Sequence, residues 1–238
     1  MLVTMQAIVL SKIKYRDHDL IVKCYTQSHG VVSYLVKGSR SHKRKLKASY
    51  FQQLSVLELE TNHKPTRGLQ YIKEVKTFVP FETLHTNILK STLVLFLSEV
   101  LSSVLKEEAP NKPLFTFITT ALQILDKEDT YANFHSLFLL ELSKFLGFYP
   151  QEIDVDATRF NLLEGRFQNH SGQDHILEGE NLIIFKKALG IKFDAFTTFN
   201  LPSKQRQMLL NMILAYFQLH LDDFKKPKSL AVLNQVFN

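Results

Sequence analysis

The sequence has a single cysteine, Cys24, and no tryptophan. One thiol cannot build an internal disulfide framework or the multi-cysteine ligand set of a structural zinc site. Cys24 lies in the apolar run LIVKCY, so we expect a buried, inert thiol and not a nucleophile.

Long apolar runs are also missing. The longest, LVLFL at residues 93–97, is far too short to span a bilayer. The N-terminal stretch has no leading basic region, and Lys12 and Lys14 interrupt its apolar residues, which argues against a signal peptide. These features predict a soluble, cytoplasmic protein that does not associate with membranes.

The sequence contains no glycine-rich phosphate loop of either common type and no G-x-S-x-G nucleophile motif. The sequence therefore argues against nucleotide hydrolysis by a P-loop mechanism. Paired acids could belong to a metal-dependent nuclease, but such pairs on loops and helix ends are usually solvated, and no histidine-rich pattern supports them. The pairs are Asp154 with Asp156 and Asp222 with Asp223.

A metal site in the polar loop around His170, Asp174 and His175 is a further alternative, although no thiolate is available to complete a tetrahedral site. His135 and His220 fall in helical segments and are interpreted as residues at the edge of the core. We therefore expect no catalytic residue, no bound metal and no cofactor.

Acidic residues are absent between Asp19 and Glu58, and this gap contains the basic stretch VKGSRSHKRKLKAS at 36–49. Six cations so close together repel one another, and a polyanion would offset that repulsion. The alternative is a solvated loop that only aids solubility. The six cations are Lys37, Arg40, Lys43, Arg44, Lys45 and Lys47.

The positive charge belongs to the first third of the chain. Residues 1–80 carry 14 lysines and arginines against five acids, whereas the remaining 158 residues carry 15 against 18. A phosphate backbone is the commonest partner for such a patch.

The first 80 residues alternate in the manner of β-strands joined by short turns. Five strands in this length predict a small closed barrel, with the oligonucleotide-binding (OB) fold as the leading candidate. The predicted strands are 6–15, 20–26, 31–37, 51–60 and 69–78.

After Pro80 the apolar residues recur at the spacing of an α-helix. We therefore predict an α+β multidomain protein, with an OB-fold nucleic-acid-binding domain at 1–80 and an α-helical domain at 81–238. Residues 149–180 read as an irregular polar insertion with a small hairpin around NLLEGRF. The predicted helices are 84–105, 114–125, 131–148, 181–189, 203–221 and 229–237.

Aromatic residues interleave with the cations of the first domain, and bases of a single strand can stack on such rings. The alternative is that most of the rings fill the barrel. We expect one or two to be exposed, with Tyr34 and Tyr50 the first candidates because they flank the basic stretch.

Several motifs, in order, resemble the RecO family of bacterial recombination mediators. Thr26, Gly30, Val36, Lys37, Gly38 and Arg40 match the family's T…G…VAKGAR run. Further matches lie in SEVLSSVLKEEAPNKPLF, HSLFLLELSKFLGFYP and FKKPKSLAVLNQVF, so the resemblance covers nearly the whole chain.

The resemblance implies an OB fold followed by a helical domain, together with binding of single- and double-stranded DNA and annealing of complementary strands. It also implies the partner RecR, contact with the C-terminal tail of single-strand-binding protein, and loading of RecA at gaps. Many members carry four zinc-binding cysteines after the helix that ends in Leu-Gly. Here 149–180 contains none, so the resemblance does not extend to zinc.

We therefore predict a non-enzymatic, nucleoid-associated DNA-binding mediator. The alternatives are an RNA-binding OB protein and a basic adaptor that docks an acidic protein tail. The predicted nucleic-acid contacts are Lys14, Arg16, Lys37, Arg40, Lys43, Arg44, Lys45 and Lys47.

Overall fold

Apolar alternation in the first 80 residues closes five strands into a barrel. The computed structural model describes residues 2–16, 18–38, 47–64, 66–105, 110–170 and 174–237. Neighbouring strands follow the order β1-β2-β3-β5-β4, with β4 returning to β1, and only the β3–β5 pair is parallel. The strands are β1 (Leu2–Tyr15), β2 (Asp19–Thr26), β3 (Gly30–Val36), β4 (Val56–Asn62) and β5 (Leu69–Val79).

Strand β1 can join both sides of the barrel because its first half pairs with β4 and its second half with β2, with a register shift between Val9 and Ser11. Inward-facing side chains such as Val22, Cys24 and Leu59 form a core with no exposed surface. The buried Cys24 confirms the sequence interpretation, and burial raises the pKa of its thiol.

Strand β4 begins later than predicted. Phe51 and Leu54 are fully buried, but they lie in an irregular segment that follows a short 3-10 helix, Ala48–Tyr50. Leu54 has a φ of 57°, and its N–H donates to the carbonyl of Val9. An apolar run that fills the end of a barrel therefore has the same sequence signature as a strand.

The helical periods after Pro80 form six α-helices within the described residues. The first begins at Ile88, because the Asn87 side chain accepts hydrogen bonds from the N–H groups of Leu89 and Lys90. The helices are α1 (Ile88–Val104), α2 (Lys112–Lys127), α3 (Phe134–Phe145), α4 (Gly179–Leu189), α5 (Ser203–His220) and α6 (Leu230–Val236).

The chain divides into two compact units. One comprises Met1–Lys127 with Pro227–Ser229, so it contains the barrel, α1 and α2; the other comprises Glu128–Lys226 with Leu230–Asn238. The fold class predicted from sequence, an OB-like five-stranded barrel followed by helices, is confirmed. The assignment of nucleic-acid binding to 1–80 remains a prediction.

Segment 149–180 is more regular than its polar sequence suggested. The predicted hairpin exists as β6 (Arg159–Asn161) and β7 (Arg166–Gln168), and a third strand, β8 (Ile176–Glu178), pairs with the other edge of β6. Aromatic packing stabilises this sheet. The Phe160 ring is fully buried, and its centroid lies 4.8 Å from that of Phe167 and 4.9 Å from that of Phe185.

Candidate nucleic-acid interface

The β1–β2 ribbon presents cations on both of its faces. Lys14 lies opposite Leu20, which in turn lies opposite Val36, whereas Tyr15 lies opposite Asp19. Because side chains alternate along a strand, Lys14 and Tyr15 project from opposite faces of the ribbon. Arg16 occupies the turn with a φ of 53°, and its guanidinium carbon lies 5.3 Å from the centre of the Tyr15 ring.

The end of β3 fixes the position of Lys37. The next residue, Gly38, has a φ of 63°, and its N–H donates to Asp19 Oδ1 over 2.8 Å. A left-handed backbone of this kind favours glycine. The carboxylate at the start of β2 thus anchors the first residues of the basic stretch beside the β1–β2 turn.

The Tyr71 ring on β5 lies close to two cations, Lys37 and Arg67. The Lys37 ammonium lies 5.2 Å from the centre of the Tyr71 ring, and the Arg67 guanidinium carbon lies 5.3 Å from it. Cations at this distance are attracted to the ring by about 0.5–1 kcal/mol when exposed. The Tyr71 side chain remains 39% exposed, so a partner can still reach it.

Gln70 holds the loop that carries Arg67. Its buried amide nitrogen donates to the carbonyls of Lys64 and Arg67 over 2.8 and 2.5 Å, and its carbonyl accepts the Lys64 N–H over 3.1 Å. An amide that satisfies three backbone groups fixes the loop, so Arg67 is held near Tyr71 by the fold itself.

An apolar row connects these elements across four strands. Ile13 lies opposite Ile21, Ile21 opposite Leu35, and Leu35 opposite Tyr71. Ile13 is 59% exposed, so the row is open at the ribbon as well as at the tyrosine. We call this surface the cationic face; it comprises Ile13, Tyr15, Arg16, Ile21, Lys37, Arg67 and Tyr71.

No carboxylate of the described residues neutralises the three cations of this face. Among the residues that the structure describes, Arg16, Lys37 and Arg67 form no ion pair with a carboxylate. Lys73, on the same strand as Tyr71, differs because it binds Glu60 over 2.6 Å. The hydrogen bond and charge of Glu60 raise the pKa of Lys73.

Of the other predicted contact residues, the structure describes only Lys14 and Lys47, and neither belongs to this face. Lys47 is exposed immediately before the 3-10 helix. Arg40, Lys43, Arg44 and Lys45 lie outside the described residues.

The expectation that Tyr34 is exposed is wrong, because this side chain lies fully inside the barrel with its hydroxyl near the Met5 sulfur. Tyr50 is only partly buried, against the barrel core. Among the described residues of the first 80, three rings are exposed, one more than the one or two expected: Tyr15, Tyr71 and Phe78. Arg67 is not among the predicted contact residues, because its proximity to Tyr71 cannot be deduced without the strand register.

Other candidate sites show no comparable clustering. Within the described segments, no three His, Cys, Asp or Glu side chains converge on a possible metal position. His135 is buried in the helical unit, where burial and the nearby Arg206 lower its pKa to about 3. None of the helices of the described segments is long and apolar enough to cross a membrane.

Two family models match consecutive parts of the chain. Residues 1–81 match the model described as Recombination protein O N terminal, and residues 85–231 match Recombination protein O C terminal. Together they cover the barrel and most of the helical region.

Curated relatives match over nearly their full length. A protein of Christiangramia forsetii named DNA repair protein RecO is 44% identical over 238 residues, which is 100% of both chains. Proteins of the same name from Flavobacterium psychrophilum and Bacteroides fragilis are 45% and 36% identical, covering 98% and 97% of both chains. The resemblance drawn from the ordered motifs is confirmed, and the chain belongs to the RecO family of DNA repair proteins.

Proposed function

We propose that the chain binds DNA strands across the cationic face and the adjoining basic stretch. Phosphates contact Arg16, Lys37 and Arg67, and an unstacked base lies on Tyr71. The observation that carries this proposal is the exposed Tyr71 ring beside two cations, Lys37 and Arg67, that have no carboxylate partner among the described residues. OB folds bind oligonucleotides on this combination of strand face and flanking loops.

The remaining basic residues extend the proposed contact beyond this face. Lys14 serves the opposite side of the ribbon, and five cations of the basic stretch enter from their charge and their place in the sequence. These five are Arg40, Lys43, Arg44, Lys45 and Lys47. Contacts of this kind bind the phosphate backbone without reading base sequence.

We propose that the chain acts as a recombination mediator and not as an enzyme. A surface that screens phosphate repulsion without gripping base edges brings two complementary strands together and so favours annealing. Family membership supports the further steps: partnership with RecR, contact with the C-terminal tail of single-strand-binding protein, and loading of RecA onto the coated strand. Such a protein acts at the bacterial nucleoid.

A salt titration of binding to single-stranded and duplex DNA tests the proposal. Each phosphate contact adds about 0.7 to the slope of log affinity against log salt for single strands and about 0.9 for duplex. Replacing the five cations from Arg40 to Lys47 by alanine lowers both the affinity and this slope. Lys73→Ala is the matched control, because Glu60 already pairs with that lysine. Equal slopes in the fivefold variant and the control would contradict the proposal.

The alternatives predict different results in the same assay. An RNA-binding protein would prefer RNA over DNA of the same sequence. A protein adaptor would bind an acidic peptide that an oligonucleotide does not displace. A metal-dependent nuclease would degrade labelled DNA when magnesium is added, and we expect the DNA to remain intact.

A further inference from the structure

A hollow of about 360 Å³ opens beside the 3-10 helix, where β4 begins and β5 ends. Three rings contribute to its wall: Tyr50, Phe81 and His85. His85 is held in place because its Nε2 donates to the carbonyl of Gln53 over 2.8 Å, and Phe81 meets the histidine ring edge to face with centroids 6.0 Å apart.

The rest of the wall combines polar, uncharged side chains with three apolar ones, Leu57, Val79 and Pro80. Ser49, Gln52 and Thr77 supply hydroxyl and amide groups, and among the described residues no lysine, arginine, aspartate or glutamate lines the wall. A phosphate or an ammonium group would find no counter-charge there. Rings together with a few hydrogen-bonding groups instead suit a flat, neutral, polar ligand, and the volume lies in the range of small-ligand sites.

The position of the hollow indicates which flat ligand it receives. Lys47, the last cation of the basic stretch, is exposed, and its carbonyl accepts the Tyr50 N–H over 3.2 Å. A strand whose phosphate contacts Lys47 therefore passes within one helical turn of the hollow. Bases of single strands can swing out and stack on aromatic side chains while polar groups bind their edges.

We propose that this hollow accepts one base turned out of a single strand whose backbone follows the basic stretch. The inference rests on the proposed DNA binding and adds a second base-binding position to Tyr71. Because it needs an unpaired base, the hollow favours single strands over duplex, and its uncharged wall keeps the phosphates outside.

Two oligonucleotides of equal length test the proposal, one bearing bases and one made of abasic sugar phosphates. Thr77→Trp fills the hollow from an exposed strand position, and Gln52→Trp fills it from an exposed position on the other side. Thr4→Trp is the matched control, since Thr4 is an exposed strand residue outside the hollow. Urea unfolding shows which filled variants retain the fold.

We expect each folded filled variant to bind the base-bearing strand about tenfold more weakly than wild type, the effect of losing one stacked base. Its affinity for the abasic strand should equal that of wild type. Unchanged affinity for the base-bearing strand, or an equal loss for both strands, would overturn the inference while leaving DNA binding intact. Failure of wild type to bind either strand would overturn the proposed function and the inference together.

Discussion

Replacing Asp126 by alanine should destabilise the barrel-containing unit more than any single change to its exposed residues. The carboxylate at the end of α2 accepts the N–H groups of Glu82, Thr83 and Leu84 over 2.7–3.0 Å. These are the residues that lead from β5 into α1, so one side chain fixes the connection.

The magnitude follows from how far water can reach each amide. Glu82 is exposed, whereas Leu84 is fully buried and Thr83 is partly buried. Each buried donor that loses a charged acceptor costs about 1.5–3 kcal/mol. The Thr83 and Leu84 donors together give an expected loss of about 3–6 kcal/mol for Asp126→Ala. Asp126→Asn should lose less, because its carbonyl oxygen can still accept both buried amides.

Urea unfolding followed by circular dichroism measures these differences, since the chain has no tryptophan to report by fluorescence. Asp129→Ala, an exposed change three residues later, is the control and should stay within about 0.5 kcal/mol of wild type. If Asp126→Ala lies within 1 kcal/mol (roughly the error of such comparisons) of that control, the three hydrogen bonds do not stabilise the unit as argued.

The same carboxylate gives this stabilisation a pH dependence. Burial would raise the pKa of Asp126, but the three amides and the Thr83 hydroxyl outweigh it and hold the pKa below its ordinary value of 3.8. A lowered pKa means that the contribution is complete above the unfolded value and is lost as the pH falls through the folded one. The difference between wild type and Asp126→Ala should therefore be constant at neutral pH and shrink only below about pH 4.

Three further outcomes are expected. Tyr71→Ala should weaken single-strand binding by about 1–3 kcal/mol while changing duplex binding little, and Tyr71→Phe should restore it; equal losses on both DNAs would contradict stacking. Gly165→Ala should lower the free energy of unfolding in urea more than Gly147→Ala does. Both glycines have a positive φ, but only a Cβ at residue 165 would meet another atom, the Tyr216 hydroxyl oxygen at 2.7 Å. Equal losses would show that this contact relaxes freely. Cys24 should react with a thiol reagent only after unfolding, since it is fully buried and its pKa is raised; labelling of the native protein would refute that.

The barrel could be predicted from sequence because short apolar strands and glycine-bearing turns determine hairpins locally. Which residues of β3 face the core could not be predicted from sequence. The strand GVVSYLV is apolar on both faces, and only Ser33 indicates the outer one. Nearness to the basic stretch therefore predicts an exposed Tyr34, whereas the strict alternation of side chains along the strand buries it in the barrel.

The cationic face depends on contacts that are distant in sequence. Tyr71 lies near Lys37 because β3 pairs in parallel with β5. Parallel strands are not joined by a short turn, so no turn motif in the sequence predicts this pairing. Arg67 has only Lys64 as a charged neighbour in its loop, so no charge run singles it out. The basic stretch could be recognised because all of its residues are neighbours in the chain.

The second half of β1 has a consequence for self-association. Its pairing with β4 ends at Ile8, so from Ser11 to Tyr15 it pairs with β2 and with no other strand of the described residues. An unpaired strand edge is a template for another chain, and natural sheets often blunt such edges with lysine. Lys12 and Lys14 are exposed in this part of the strand, so we expect their charges to oppose edge-to-edge pairing of two copies. Removing both charges should increase self-association of the protein at high concentration, with or without DNA.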